Sequence, residues 1–276
     1  MRDFDKKHLE DFSYQVRKLI LEMSARGGAF TGAALSCTDI VSYLYNHFLD
    51  TGPEKFTAPD RDYLFLSKGH VVPVLYGTFA VLGWLDSKRL RNHLKTNDDI
   101  YWHPNKNIVG IEFHSGSLGH GLPVAAGVAL DCKMSETGNK VVVITGDGEL
   151  NEGTIWESLL VASAKKLDNL LVIIDRNRFQ ANITTEDLIP LEPLEDKFRS
   201  FGTAVKRVSG HDFEEINKAL SNFPFEASRP SVLIADTIRG KGVPSIEARA
   251  DKWFVMLDEP ELNEVLEELE ENRGME

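Results

Sequence analysis

The chain has 276 residues, 42% hydrophobic and 27% charged, the proportions of an ordinary soluble globular protein with a sizeable buried core. A formal net charge of −12 argues against a nucleic-acid or anionic-membrane partner, since either needs a basic face. Cys37 and Cys132, the two cysteines, lack zinc-site spacing and suit a reducing compartment; with a charged start (MRDFDKKHLEDF) and no apolar run near the ~20 residues of a membrane span, the expected location is cytoplasmic.

In chain order, helical spacing of apolar residues predicts a helix from about Asp5 to Ala25, stopped by Gly27-Gly28. A second helix is expected from about Thr38 to Phe48, with Thr38 or Ser36 as its N-cap. DYLFLS (62–67) reads as a short strand leading to a loop at Lys68-Gly69-His70. Strands then follow at VVVIT (141–145), LLVIID (170–175), TAVKRV (203–208) and SVLIAD (231–236), with helices around 119–134, 152–166 and 212–222. Three of these strands are continuous Val/Ile/Leu runs, the mark of strands covered on both faces. The expected fold class is therefore α/β, a doubly wound parallel sheet flanked by helices. A single domain is expected over 1–276, with its core at about 11–247. The acidic run from Asp258 to Glu276 is expected as a solvated helix over about 258–273.

Ligands in such sheets bind where the strands end. The strand VVVIT runs into Gly146-Asp147-Gly148-Glu149 and a helix expected to begin near Asn151. Glycines flanking an aspartate let backbone amides approach an anion, and a helix N-terminus favours one. An aspartate beside a phosphate requires a cation between them, Mg²⁺ or Ca²⁺ by its oxygen ligands. A plain βα turn with Asp147 as cap is the alternative for this segment alone. The next strand ends at Asn177, thirty residues after Asp147, and adjacent parallel strands bring the two loop tips together. That pairing is the thiamine diphosphate fingerprint.

From about Asp11 to about Glu247 the chain resembles the N-terminal section of transketolase, in the version encoded as a separate short subunit. The motifs are DRDYLFLSKGHVVPVLYG (60–77), HPNKNIVGIEFHSGSLGHGLPVAAGVAL (103–130), GDGELNEGTIWESLLVASAKKLDNLLVIIDRN (146–177), SGHDFEEI (209–216) and RPSVLIADTIRGKGV (229–243). The resemblance implies the thiamine diphosphate diphosphate-domain fold. It implies Asp147, Asn177 and the carbonyl of Phe179 as metal ligands, and Gly146, Gly148 and Glu149 beside the diphosphate. His70 corresponds to a histidine near the diphosphate, and His103 to one that contacts donor hydroxyls. A loop-capping and a surface imidazole are the plainer readings of these two. Gly116 and Leu118 correspond to contacts with the aminopyrimidine. Glu152 corresponds to a carboxylate behind the cofactor, or is an ordinary first-turn glutamate. Lys241 would reach phosphate.

The superfamily activates its cofactor through a glutamate on a second, pyrimidine-binding domain, and 276 residues leave no room for one. The resemblance thus implies a partner like the transketolase C-terminal section, in a heterotetramer with two copies of each chain, acting on a small-molecule substrate. Phe30 and Phe254 stand where the family carries substrate-pocket histidines, while His114 and His120 replace a small polar residue and a glutamine. The expected activity is transfer of a two-carbon ketol unit to an aldehyde or ketone. The alternatives are acyl transfer from a 2-oxo acid such as pyruvate or to a carrier protein, and a non-catalytic cofactor-binding partner.

Overall fold

The computed structural model describes residues 4–273; the outermost three residues at each end of the expected domain, including the last three of the acidic run, lie outside the described residues. Seven strands are present among the described residues: β1 (Tyr63–Leu66), β2 (Val141–Gly146), β3 (Leu170–Arg176), β4 (Phe179–Gln180), β5 (Ile183–Thr184), β6 (Ala204–Ser209) and β7 (Ser231–Asp236). Five of them form one wholly parallel sheet in the order β1-β2-β3-β7-β6, and β4 and β5 pair as a small antiparallel hairpin.

Inside each continuous apolar run, alternate residues serve opposite faces. Val142, Ile144, Leu171, Ile173, Leu233 and Ala235 point into one core, which they share with α1 (Lys6–Ser24), α2 (Thr31–Ser36), α3 (Thr38–Tyr43) and α4 (Pro73–Val81). Val141, Val143, Leu170, Val172, Val232 and Ile234 point into the other, beneath α5 (Gly121–Met134) and α6 (Gly153–Ala164). After α7 (Thr185–Leu188), α8 (Leu194–Ser200) packs on this second side through Leu194 and Phe198, whereas α9 (Phe213–Leu220) returns to the first. Both faces are covered, as the doubly wound reading requires. β6 is an edge strand with mostly half-buried residues, which explains Lys206 and Arg207 in its sequence.

Helix α1 is capped by Asp5, whose carboxylate accepts from the His8 amide at 3.0 Å, and it buries Leu9, Phe12, Val16 and Ile20. The expected helix at 38–48 begins as α3 and finishes as a π-helical turn, Leu44–Phe48. The acidic run forms α10 (Glu259–Asn272), started by an Asp258–Glu261 capping box and buried only at Val265 and Leu269. Sequence periodicity missed α2 and α4. Both are buried almost throughout, so neither carries a polar face to betray its period. No helix among the described residues is long and apolar enough to cross a membrane.

Candidate functional site

The C-terminal ends of β1, β2, β3 and β7 deliver Lys68, Asp147, Asp175 to Asn177, and Thr237 to Arg239 to one edge of the sheet. At its centre lies a carboxylate that sequence reasoning left without a role. Asp175 is fully buried and pairs with Lys68 Nζ; it also accepts from Ser36 Oγ at 2.6 Å, Asn177 Nδ2 at 3.0 Å and Thr237 Oγ1. Burial alone would raise this carboxyl, but Lys68 and the surrounding donors reverse the sign and hold it below the usual range. Burial would likewise lower Lys68, and Asp175 keeps it above its ordinary value. A charge ending an otherwise apolar strand, as in LLVIID, was the available signal.

Asp147 stands one strand away. Its backbone amide donates to Asp175 O at 3.2 Å, and its carboxylate accepts from Gly148 N at 2.8 Å, Arg178 N at 2.5 Å and Arg176 Nη1 at 3.0 Å. Burial first, then the neighbouring Asp175, push Asp147 up to about 6 despite Arg176. Asn177 turns its Oδ1 to the amide of Phe179 at 3.1 Å. The two loop tips therefore meet as their spacing predicts. One expectation needs correction: α6 begins at Gly153, not near Asn151. A 3-10 turn, Gly148–Asn151, comes first, and Asp147 caps that turn through the Gly148 amide. The capping geometry of the alternative reading is thus real, but it belongs to the short turn. The turn lies tight against the hairpin, since a Cβ on Gly148 would come within 2.8 Å of Gln180 Cβ.

Glu149 faces the protein. Its buried carboxylate accepts from Gly119 N at 2.7 Å, Gly146 N at 3.1 Å and Ser67 Oγ, and Ser67 Oγ in turn accepts from Gly121 N at 3.1 Å. It clasps three loops together. Burial raises its pKa against those donors. Lys241 lines a separate cleft with Tyr14, Arg17, His211 and Arg273. Arg239, two residues earlier, is a further cation at the sheet edge: it is buried, its guanidinium lies 4.6 Å over the Phe179 ring, and Nη1 donates to Ala181 O at 2.6 Å. Burial draws it down to about 10, although Asp147 and Asp175 work the other way.

His70 is held between aromatic rings, edge-on to Phe30 at 5.2 Å and 6.4 Å from Trp253. Burial, together with Lys68, His103 and Arg239, lowers it to about 3, so the imidazole is neutral at physiological pH. His103 is half-buried and also lowered by burial. It lies near Gly116, where an added Cβ would be 3.3 Å from its Cδ2. Phe30 and Phe254 come together 5.3 Å apart, and Trp253 sits 4.9 Å from Phe30 and Trp102 6.0 Å from Phe254. The two tryptophans were not anticipated. Gly28, at φ +87°, is required beneath this wall because a Cβ there would overlap the Phe254 ring. The Ala29–Val255 bridge, with both amides donating at 2.9 Å, fastens the two segments. His114 and His120 are both exposed, and His120 Nδ1 is 3.0 Å from Leu118 O. Glu152 is exposed at the α6 N-cap and shelters Gly119, where a Cβ would lie 2.7 Å from its own. Leu118 is half-buried and Gly116, on the same loop, is exposed.

Among the described residues no group of three or more His, Cys, Asp or Glu could hold a metal. A site built from one carboxylate, one amide oxygen and one carbonyl escapes that criterion, and it suits a hard dication completed by phosphate oxygens. Burial and the neighbouring Asp175 raise Asp147 despite its pairing with Arg176, and a dication beside it would offset both. The residues present fit a metal–diphosphate group.

A parallel sheet covered on both faces, with paired charges gathered at its strand ends, defines a doubly wound α/β protein. The family model described as "Transketolase, thiamine diphosphate binding domain" matches residues 14–274, and the chain belongs to that family. It is 35% identical over 266 residues to an apulose-4-phosphate transketolase subunit of Actinobacillus succinogenes, covering 95% of this chain and 96% of the relative. It is 35% identical over 257 residues to the 6-deoxy-6-sulfo-D-fructose transketolase subunit SqwG of Clostridium sp. strain MSTE9, covering 92% and 94%. The solved transketolase of Campylobacter jejuni superposes with a TM-score of 0.88 at 29% identity, over 97% of this chain and 43% of that one. The chain thus spans about two fifths of the solved transketolase and nearly all of the two relatives named as subunits.

Proposed function

We propose that this chain, acting as one domain, is the diphosphate-binding subunit of a two-component transketolase. It works with a partner like the transketolase C-terminal section in a heterotetramer, uses Mg²⁺ in the cytoplasm, and transfers a two-carbon ketol unit to an aldehyde or ketone. The observation that carries this reading is the meeting of Asp147, Asn177 and Phe179 at the ends of adjacent strands. That two relatives matched over nearly their whole length are named as transketolase subunits supports a separate partner. Two buried free cysteines are in keeping with a reducing compartment.

Thiamine diphosphate, when bound, supplies the electron sink for breaking a bond beside a carbonyl. The chain's own contribution is binding, orientation and exclusion of water. Asp147 Oδ, Asn177 Oδ1 and the Phe179 carbonyl would hold the metal, and the Gly146–Gly148 backbone would face the diphosphate. His70, held neutral, and His103, lowered by burial, would offer hydrogen bonds at the reacting end. Gly116 and Leu118 offer the aminopyrimidine its backbone and apolar contacts, with Glu152 behind them.

The wall of Phe30, Trp102, Trp253 and Phe254 favours one variant of this reading: a donor or acceptor with fewer hydroxyls than a pentose phosphate, a 2-oxo acid such as pyruvate being the limiting case. Co-expression with a subunit like the transketolase C-terminal section, followed by a donor screen for release of the carbon unit, tests the proposal. Donor-dependent turnover by the pair, and none by the chain alone, is expected. Turnover by the isolated chain contradicts the two-component reading, and a loaded pair inert to every donor leaves a binding partner without catalysis.

A further inference from the structure

The carbonyl of Gly28 accepts two hydrogen bonds, from His93 Nε2 at 3.0 Å and from Trp102 Nε1 at 3.3 Å. A carbonyl oxygen can only accept, so the His93 ring carries its proton on Nε2 and keeps a lone pair on Nδ1. That Nδ1 is buried without a partner, and the side chain as a whole is 2% exposed. Burial lowers His93 against the pull of the Gly28 carbonyl, which keeps the ring neutral. A partnerless buried nitrogen is unfavourable, and an apolar side chain of similar size would avoid it. What the imidazole supplies instead is the N–H directed at Gly28. Gly28 in turn is the floor of the aromatic wall. Its amide donates to Ser24 O at 3.1 Å at the end of α1, and a Cβ on it would come within 2.6 Å of Phe254 Cε1. The next residue, Ala29, bridges to Val255, and Trp102 stands edge-on to Phe254 at 6.0 Å. One carbonyl therefore ties the end of α1 to the segments that carry His93 and Trp102, with the Phe254 ring resting on the same residue.

We propose that His93 is a positioning residue for donor selectivity: with Trp102 it clamps the Gly28 carbonyl and so fixes Phe254 and Trp102 against Phe30. This rests on the reading above, in which that wall lines the donor pocket. Fixed rings neither move aside for a hydroxyl nor admit water to solvate it, so the wall discriminates only while the clamp holds. His93 acts through Gly28 alone, because it is too buried to meet the donor and reaches the carbonyl from the end of the 3-10 turn Ser87–Asn92. Trp102, by contrast, is both a donor to the clamp and a part of the wall.

The full chain, free and assembled with its partner, is compared as wild type, His93→Leu, which lacks the donor, and His93→Gln, whose amide N–H can replace it. Heteronuclear NMR of the free chain should show the His93 ring protonated on Nε2. The Trp102 indole signal should move in His93→Leu and return most of the way in His93→Gln, while those of Trp84 and Trp156 stay in place. In the assembled enzyme, His93→Leu should raise kcat/KM for xylulose 5-phosphate, relative to the best less-hydroxylated donor of the screen, by about 5-fold, the worth of one neutral hydrogen bond. The change should lie mainly in KM, with His93→Gln near the wild-type ratio and the calorimetric affinity for thiamine diphosphate unchanged in both variants. A ring protonated on Nδ1, or a wild-type donor ratio in His93→Leu, overturns the assignment. So does an equal change in both variants accompanied by weakened cofactor binding, which would show packing alone. A reconstituted pair inert to every donor refutes the function proposed above and the selectivity role with it, whereas the ring tautomer still reports the clamp, so the two failures are told apart.

Discussion

Lys68 Nζ and the Asp175 carboxylate form a fully buried ion pair that ties the loop after β1 to the end of β3, with β2 running between. Ser36, Asn177 and Thr237 also donate to Asp175, so helix α2 and the β7 loop are fastened to the same carboxylate. Removing one partner leaves an uncompensated buried charge, a loss of about 3–5 kcal/mol. Lys68→Met should therefore lower the denaturant midpoint strongly, and Lys68→Met with Asp175→Asn should recover part of the loss. Equal or additive losses in the double variant would show that the pair is not coupled.

His70 gives the molecule a pH dependence of known sign. Its folded pKa is near 3, against an ordinary 6.5, so between those values the unfolded chain binds more protons than the folded one. The stability it contributes is fully present above about pH 6.5 and is lost as pH falls toward 3. At pH 5 the loss relative to pH 7.5 is about 1–2 kcal/mol. Urea titrations should show a shallower decline over that range in His70→Asn than in wild type, whereas parallel curves would place the charge elsewhere.

The sheet was legible because its central strands are unbroken Val/Ile/Leu runs, and all five strands lie within a residue or two of their expected limits. The approach of the loops that carry Asp147 and Asn177 was legible because neighbouring parallel strands must bring their loop tips together. The Lys68–Asp175 pair and the burial of Arg239 were not. Burial and the presence or absence of a partner depend on three or four loops meeting, and local spacing does not encode that. Phe30 and Phe254 were marked by comparison with the family, but their joining into one wall with Trp102 and Trp253 required the fold.

That wall bears on specificity. A hydroxyl pressed against phenyl rings loses its hydrogen bonds to water without replacement, costing roughly 1–3 kcal/mol per group. Two such groups could slow a pentose phosphate about 10²-fold or more. The reconstituted enzyme should show a lower kcat/KM for xylulose 5-phosphate than for a less hydroxylated donor, and Phe30→His with Phe254→His should shift the ratio toward the sugar phosphate. Efficient use of xylulose 5-phosphate by the wild type would show the wall to be silent.

The account stands on a metal–diphosphate site built from Asp147, Asn177 and the Phe179 carbonyl, and calorimetric titration of thiamine diphosphate tests it most directly. With Mg²⁺ present, the wild-type chain assembled with its partner should bind the cofactor, and chelation of the metal should abolish binding. Asp147→Ala and Asn177→Ala should each lose Mg²⁺-dependent affinity while keeping the wild-type circular dichroism spectrum, since both residues lie on loops. Wild-type affinity in both variants, or binding indifferent to chelation, would contradict the assignment.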